Sequence, residues 1–503
     1  MNVFARLHKT KNDWKTKAVY RATLLRDFRK KLGRIKARSE QRRRQLKQEI
    51  KRLNSEIATL RLAANKSTQL IETSSPIELR TLCVSIVIGG IVSFRSVPRI
   101  LGVFQSFGGA LFPIPHFTSV IHWSLRAGVA VFSQVSRVSG PWIAIIDCSI
   151  DIGTRKALVV LRISLEALQN KQGAVGLQDC ECIGLKISTK WNGTLVNEAL
   201  KEIFDNAGRP IAILKDGGTD LNKGVQLYRE TENAKQIMII DDVGHVTANA
   251  LKAEFSKQTA FVKFLNILRK GAARIRQTDL AWLLPPKIRT KGRFQGITEV
   301  AEWAQKLLNV MGGQGRAKES SELNLLRRSF NGLAQLREFL GRFCGACEIS
   351  EKFLKIMKQK GLNQETYREA KNHLLQMPEN STVRLRLQSW LDKHLHIQCR
   401  LGVGQLPLLV SSDVIESLFG KFKTVIQRNP NAELNRLVYI IPLLCGKHSK
   451  GDLNYALQNC SHQQMLDQIE KTIPQTLRQQ RHRILERGRE QTKTGTVPLP
   501  RTG

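Results

Sequence analysis

The stretch Trp142-Ile143-Ala144-Ile145-Ile146-Asp147 is an apolar run that ends in one carboxylate. A second run, Ile211-Ala212-Ile213-Leu214-Lys215-Asp216, also ends in an aspartate and is followed by Gly217-Gly218. Short apolar runs bounded by turn residues are typical of buried strands. An aspartate after a strand is most often a turn residue, but an acid inside an apolar strand is costly to bury without a partner. Asp147 is therefore a candidate functional residue.

A third acid, Glu416, lies in the stretch of residues 413–423, which has helical character. Two strand carboxylates and one helix carboxylate can converge on one site. Hard divalent cations such as Mg²⁺ prefer oxygen ligands, and a pair of them assists phosphoryl transfer. The three acids therefore predict a site for two Mg²⁺ or Mn²⁺ ions.

The segments around the first two acids alternate in an order that predicts an α/β domain. Apolar patterning predicts strands at 142–150, 157–163, 182–188, 210–214 and 236–240, and helices at 192–207 and 220–231. Three strands, a helix, a strand, a helix and a strand is the element order of the ribonuclease-H fold. In that fold the first acid lies on strand one and the second just after strand four.

The rest of the chain reads mainly as helix. Residues 246–405 interrupt the alternation, and we interpret them as an all-helical insertion that contains Pro285-Pro286 and a glycine-rich loop at 312–315. The core is expected to resume at 406–470 with the third acid. The other expected segments are a basic helix at 1–75, a helical DNA-binding unit at 76–135, the first part of the core at 136–245, and a basic, partly disordered tail at 471–503.

The charge of the chain indicates a polyanionic partner. The formal charge of +38 and a pI near 10.3 are far from the ordinary globular range, and nucleic acid is the first candidate. Residues 1–65 contain 20 Lys and Arg against 5 Asp and Glu, a net charge of +15. The sequence contains no phosphate-binding loop, nucleophile elbow or dinucleotide fingerprint, so those enzyme classes are not indicated.

Residues 15–65 are predicted to form one helix, because they contain no proline and a single glycine. Apolar residues in its second half alternate four and three apart, as in the seam of a short coiled coil. A single amphipathic helix packed on its own domain explains the same spacing equally well. The residues of this seam are Leu46, Ile50, Leu53, Ile57 and Leu60.

The segment 76–135 is predicted to hold three helices. The first covers 82–92, and the second begins with Ser96 as cap and Pro98 in its first turn. The third is capped by Thr118 or Ser119 and stopped by Gly128. Helix–turn–helix units place such a third helix in the major groove of DNA. The connecting turn is longer than the tight version, so plain helical packing is the alternative.

At these motifs the chain resembles a DDE-type transposase of a bacterial insertion sequence. The resemblance rests on residues 93–97, 146–153, 213–220 and 412–421, and it covers roughly 80–245 and 405–425. In that family a Lys or Arg stands seven residues after the third acid, and Lys423 stands there, on the face of the helix that carries Glu416. The resemblance implies that Asp147, Asp216, Glu416 and Lys423 are catalytic and that the three acids hold two metal ions.

The resemblance also implies an activity. The protein would bind the terminal inverted repeats of its own element, hydrolyse a phosphodiester at each end and join the freed 3′-OH ends to target DNA. Joining two ends implies a homodimer or larger assembly, in the bacterial cytoplasm and on the nucleoid when bound to DNA. The alternative is a DNA-binding protein of transposase descent that does not cut.

The first motif departs from the family pattern. Cys148 follows Asp147, and Asp151 offers a rival first acid four residues later. Asp151 is expected in the turn of a hairpin beside Gly153, which favours a structural role. Asp147 is therefore the preferred first acid.

Three further acids and one histidine have simpler interpretations. Asp220 and Asp413 are expected in the first turns of helices, where a negative charge is favourable. Asp242 and His245 follow the fifth predicted strand and could lie at the rim of the site. A helix-capping aspartate and a hydrogen-bonded histidine are the plainer interpretation of this pair.

Nine cysteines are scattered without a disulfide framework, which indicates free thiols in a reducing compartment. Five cysteine and histidine residues could together bind zinc, but their spacing matches no standard ligand set. Thiols in helix cores and a solvated histidine pair are the preferred interpretation. The residues are Cys344, Cys347, His394, His396 and Cys399.

The longest apolar stretch runs from residue 82 to residue 94, between Arg80 and Arg95. It is shorter than the ~20 residues that a membrane-spanning helix needs, so a buried helix is expected and a membrane partner is not.

Overall fold

The computed structural model describes residues 3–64, 76–107, 113–148, 155–171, 175–288, 294, 296–311, 321–402, 404–426, 435–473, 479 and 481–486. The chain divides into two compact units, Met1–Thr73 and Ser74–Gly503. Several expected features lie outside the described residues: Asp151 with its turn, the 312–315 loop and the end of the tail.

The first unit is built on one helix, α1 (Val3–Ala64), of 62 residues. Its uninterrupted length agrees with the lack of proline, and it begins before the predicted residue 15. Every side chain described between residues 14 and 55 is exposed, including Leu46, Ile50 and Leu53 of the expected seam. The side chains of Ile57 and Leu60 lie outside the described set.

The second unit begins with three helices, α2 (Pro76–Gly90), α3 (Ser96–Ser106) and α4 (Phe117–Ser133). The caps differ from the expected ones: Arg95 precedes α3, and the ring of His116 caps α4 by accepting a hydrogen bond from the Thr118 N–H. Gly128 does not end α4. It instead allows close packing, because a Cβ there would lie 1.8 Å from the Tyr439 carbonyl oxygen.

A five-stranded mixed sheet follows, and all five predicted strands are confirmed. Its strands are β1 (Trp142–Asp147), β2 (Lys156–Ser164), β3 (Glu181–Ser188), β4 (Ala212–Lys215) and β5 (Met238–Asp241). The strand order is β3-β2-β1-β4-β5. The β1–β2 and β2–β3 pairs are antiparallel, and the β1–β4 and β4–β5 pairs are parallel. The carboxyl ends of β1, β4 and β5 therefore lie at one edge.

Both faces of β1 are buried, which explains its continuous apolar sequence. Trp142, Ala144 and Ile146 face one core, and Ile143 and Ile145 face a second, larger one, as the alternation of side chains along a strand requires. The helices between the strands are α5 (Leu165–Lys171), α6 (Gly193–Ala207) and α7 (Thr219–Thr231).

The cap of α6 confirms a sequence prediction. The Asn192 side chain accepts a hydrogen bond from the Leu195 N–H at 2.9 Å, and Gly208 ends the helix with φ +90°. The first core is formed by β1 with α6 and α7, through Trp142, Phe204 and Tyr228 in edge-to-face contact. These contacts fix the two helices on one face of the sheet.

The described residues between β5 and the Glu416 helix form helices joined by turns and irregular stretches, and their one β-type pairing is an isolated bridge between Leu362 and Leu408. Phenylalanines fill their shared core, with Phe255 and Phe261 packed edge to face on Phe343. The helices are α8 (Val243–Phe255), α9 (Thr259–Ile275), α10 (Ile297–Met311), α11 (Ser321–Ser329), α12 (Arg337–Lys360), α13 (Gln364–Leu374) and α14 (Thr382–Arg400).

The chain then forms α15 (Asp413–Val425), a 3-10 helix (Arg436–Leu444), α16 (Lys450–Asn459) and α17 (His462–Thr472). The 3-10 helix, α16 and α17 pack on α4, where the Arg126 guanidinium donates hydrogen bonds to the Leu457 and Cys460 carbonyls at 2.6 and 2.8 Å. No residue from Val120 to Phe132 is exposed. The DNA-binding role of the third helix stays a prediction, in which its partly exposed residues would have to meet the groove.

No helix in the described part of the chain combines the length and the apolar character that crossing a membrane requires.

Candidate active site

The register of two parallel strands places the first two acids side by side. Ile146 on β1 is paired with Lys215 on β4, and the residue that follows each of them in the chain is an aspartate, Asp147 and Asp216. Neighbouring strands lie about 4.8 Å apart, so the two residues are lateral neighbours at the carboxyl edge of the sheet. Asp147 is 7% exposed.

A tight turn holds the carboxylate of Asp216. The Gly218 N–H donates a hydrogen bond to Asp216 Oδ1 at 2.9 Å. A Cβ at Gly218 would lie 2.9 Å from that same oxygen, closer than real Cβ atoms approach. At Gly217 the nearest atom to an added Cβ is Asn249 Nδ2, at 3.4 Å. Gly218, and not Gly217, is therefore the glycine that the position of this carboxylate requires.

Asp147 and Asp216 line one pocket of about 490 Å³. Three residues that the sequence analysis missed also line it: Lys156, Lys190 and Trp191. Trp191 joins two edges of the pocket, because its Nε1–H donates a hydrogen bond to the Lys156 carbonyl at 3.1 Å. Two lysines and a tryptophan beside paired carboxylates fit a phosphodiester substrate. The only sequence signal for them is their place at the start of β2 and just before the Asn192 cap.

Cys148 lies in the same pocket and stays a thiol. Burial raises its pKa, and the charges of Asp147 and Asp216 raise it further. A thiol with a raised pKa is a poor nucleophile, so Cys148 does not compete with the carboxylates for the chemistry of this pocket.

Glu416 lies in the first turn of α15 and lines a different pocket, of about 200 Å³, with Asp242, His245 and Asp413. Partial withdrawal from solvent raises the pKa of Glu416, and the charges of Asp413 and Asp242 raise it further, against the opposing effect of His245. The structure thus brings Asp147 and Asp216 together and places Glu416 in a second pocket. Within the described residues, no three carboxylate, histidine or cysteine side chains form a group that could hold a metal ion.

Asp242 connects the sheet to the helix that carries Glu416. Its Oδ1 accepts the His245 N–H at 2.8 Å and so caps α8, as the plainer interpretation of this residue predicted. Its Oδ2 accepts both the N–H and the hydroxyl of Ser412, at 2.7 and 2.9 Å. Ser412 immediately precedes α15. One buried carboxylate therefore fixes the start of α15 at the end of β5, and His245 lies at the rim of the Glu416 pocket.

Lys423 lies two turns beyond Glu416 on α15 and is half-buried. The opposite face of α15 is buried through Ile415, Leu418 and Phe422. A separation of seven residues places Lys423 and Glu416 on one face, with a rise of about 10 Å between them.

A buried lysine organises the strand ends beside Asp216. Lys215 is 2% exposed, and its Nζ donates to Asp241 Oδ1 at 2.8 Å and to Asn222 Oδ1. Lys393 of α14 donates to Asp241 Oδ2 at 2.7 Å. Burial alone would raise the pKa of Asp241, but the two lysines outweigh it and hold the pKa at about 2. The pair of lysines ties β4, β5 and α14 together at the edge that carries the acids.

His394 completes this junction and is not a zinc ligand. It is 0% exposed, its Nε2 accepts the Asp241 N–H at 3.0 Å, and its Nδ1 lies 2.7 Å from the Trp390 carbonyl oxygen. Both ring nitrogens are thus used by the backbone. The expectation of a solvated histidine pair was wrong for His394, because its ring fills the space between α14 and β5, whereas His396 is exposed.

The three cysteines of the suggested zinc set do not form one ligand site either. Cys347 is buried in the helical core, Cys344 Sγ contacts the Ala301 carbonyl at 3.3 Å, and Cys399 is exposed. The preferred interpretation of helix-core thiols holds for Cys347 and not for Cys399.

No protein-family model matches this sequence, and no curated protein matches it. Among solved structures, the chain is similar to a Drosophila P element transposase strand transfer complex, with 11% sequence identity and a TM-score of 0.38. That similarity covers 78% of this chain and 98% of the other chain.

Proposed function

We propose that this protein is a metal-dependent DNA transposase of the DDE type, with Asp147, Asp216 and Glu416 as its catalytic acids. One observation carries the proposal. Three parallel strands end at the same edge of the sheet, β1 in Asp147, β4 before Asp216 and β5 before Asp242, and Asp242 anchors the helix of Glu416 there. The strand order and directions support a ribonuclease-H-like core, and the charge of +38 supports a DNA substrate.

The donor set fits the proposed ions. Asp147, Asp216 and Glu416 offer carboxylate oxygen, which suits Mg²⁺ or Mn²⁺ better than a metal that seeks thiolate ligands. These three residues would hold two ions. When bound, such ions activate an attacking oxygen and stabilise the leaving oxygen of a phosphodiester.

The remaining residues of the site position DNA. Lys156 and Lys190 line the Asp147–Asp216 pocket and bring positive charge to a phosphate there. Lys423 supplies a compact charge to a neighbouring phosphate, about two helical turns from Glu416. Lys215 is buried and its Nζ is held by Asp241 and Asn222, so its proposed role is to position the strand ends.

The proposed substrates follow from this chemistry and from the resemblance of the motifs. The protein would bind the terminal inverted repeats of an insertion element, hydrolyse a phosphodiester at each end and join the 3′-OH ends to target DNA. Two ends must be held together, so a homodimer or larger assembly is proposed.

Cleavage of a repeat-end substrate in Mg²⁺ or Mn²⁺ tests the proposal. Asp147→Asn, Asp216→Asn and Glu416→Gln are each expected to abolish cleavage and to retain DNA binding in a gel-shift assay. Asp205→Asn is the matched control, since Asp205 is an exposed carboxylate on α6. Full cleavage by any of the three variants would remove that residue from the site.

Asp151 tests the choice of the first acid. If Asp151→Asn abolishes cleavage and Asp147→Asn does not, the role passes to Asp151. The alternative function, DNA binding without cleavage, is favoured by one observation, the separate pockets of Glu416 and the aspartate pair. Wild-type protein that binds repeat ends but never cuts them, over a full titration of Mg²⁺ and Mn²⁺, would establish it.

A further inference from the structure

The long helix α1 carries an apolar stripe that extends well beyond the predicted seam. The side chains of the stripe are between 44% and 68% exposed. From Leu25 to Ile35 the spacing is three, four, three, and from Leu46 to Leu53 it is four, three. The apolar stripe consists of Trp14, Leu25, Phe28, Leu32, Ile35, Leu46, Ile50 and Leu53.

These residues lie on one line along the helix. At 3.6 residues per turn all eight fall within a sector of about 80° around the axis. Ser39 and Arg42 continue the spacing between Ile35 and Leu46, and one additional step of four residues at Leu46 keeps the line in register, as stutters do in coiled coils. Val19 and Ala37 are also exposed, but they lie about 140° from Trp14 around the axis.

A straight stripe of this length needs a partner helix of comparable length. It spans about 58 Å, at 1.5 Å per residue over 39 residues. Among the described helices of the second unit the longest is α12, with 24 residues, and its Phe339, Leu340 and Phe343 are already buried in a core. A second copy of α1 has the required length and the same stripe.

We propose that the apolar stripe of α1 pairs with the same stripe of a second copy of this chain to form a two-stranded coiled coil. Eight large side chains that each contribute on the order of 100 Å² supply about 800 Å² per copy, the area of a standard stable interface. The spacing averages 3.5 residues, which is the repeat that keeps a seam facing a partner helix. This pairing does not depend on the proposed cleavage activity.

The residues beside the stripe make the pairing sensitive to salt. Arg29 and Arg43 flank one side of the stripe, and Lys31 and Arg38 flank the other. In a pair of identical helices these positions bring like charges together in either orientation, which opposes association. Added salt screens that repulsion, because the Debye length falls from about 30 Å at 0.01 M to about 8 Å at 0.15 M. Self-association through the stripe therefore strengthens as salt rises, whereas binding to DNA weakens.

Sedimentation velocity of the full chain without DNA, at low and high NaCl, tests the proposal. The wild-type protein is expected to shift from monomer toward dimer as salt rises. Leu32→Lys with Ile50→Lys should raise the dimer dissociation constant at least about 100-fold, since each copy loses two buried side chains. Val19→Lys with Ala37→Lys is the matched control, with the same added charge off the stripe, and should dimerise like the wild type at high salt.

Circular dichroism separates the loss of pairing from the loss of the helix, since both double variants should keep the helical signal of a folded chain. A wild-type protein that remains monomeric at every salt concentration would overturn the proposal. A dimer that is equally stable in both double variants, or that weakens steadily with salt, would place the contact elsewhere. If the protein dimerises through the stripe but does not cut DNA, the pairing is supported and only the proposed cleavage activity fails.

Discussion

Acid is expected to loosen the junction between α14 and the sheet through protonation of His394. Its burial lowers the pKa to about 4, from an ordinary value of 6.5. The unfolded chain therefore takes up this proton at a higher pH than the folded chain. The stabilising contribution of neutral His394 is present in full above about pH 6.5 and is lost as the pH falls toward 4.

The magnitude follows from that difference. The lowered pKa corresponds to about 3 kcal/mol in total, and about 2 kcal/mol of this is lost between pH 7 and pH 4.5. Asp241 adds little in this range, because its pKa of about 2 makes its own contribution disappear only below about pH 3.8. Burial also lowers the pKa of His122, which titrates in the same range, so the contribution of His394 is isolated by comparing the wild type with a variant that lacks His394.

Urea unfolding at the two pH values, followed by tryptophan fluorescence, measures the effect. His394→Gln removes the titrating group, so its loss of stability on acidification should be smaller than that of the wild type by about 2 kcal/mol. His396→Gln is the matched control, since His396 is exposed two residues further along the same helix. An equal loss of stability in the wild type and in His394→Gln would refute the reasoning.

Three further predictions concern the acids. Gly218→Ala should reduce the cleavage rate at least about tenfold, because the added Cβ displaces the Asp216 carboxylate. Gly217→Ala is the control and should stay within about twofold of the wild-type rate. Cleavage rates and thermal melting temperatures of both variants check this prediction. Asp413→Asn should lower the pKa of Glu416, because the substitution removes a negative charge that raises this pKa. The acid limb of the profile of cleavage rate against pH should therefore move to lower pH. Lys423→Ala should slow cleavage and strand joining about 10- to 100-fold, while Lys423→Arg keeps much of the rate. Rates on uncut and precut repeat ends measure this effect. Wild-type rates in the alanine variant would mean that Lys423 is only a solvated surface lysine.

The elements with strong local patterns could be predicted from the sequence. The apolar runs gave all five strands, and their order placed Asp147 and Asp216 at adjacent strand ends, as the parallel register shows. The cap at Asn192 is predictable because its side-chain chemistry acts within three residues. These features depend on periodicity and on contacts between near neighbours.

Features that depend on distant contacts could not be predicted. No local sequence signal marks Lys215 as buried, because its burial depends on Asp241, 26 residues away. His394 looked solvated because its partner, the Asp241 N–H, is 153 residues away. The burial of α4 depends on segments beyond residue 436, which carry no local sign that they cover it.

The hydrogen bonds from Ser412 to Asp242 span 170 residues of sequence, and this distance has a consequence for how the protein is made. A nascent chain that has emerged only through β5 contains the whole sheet and the first two acids, but neither Ser412 nor Glu416. Domains fold largely as synthesis proceeds, so the sheet can form while the cap on Asp242 has no partner. The helices α8 to α14 must be synthesised and folded before Ser412 and α15 can reach Asp242. The arrangement of all three acids is therefore completed late, and a product truncated before residue 412 cannot acquire it.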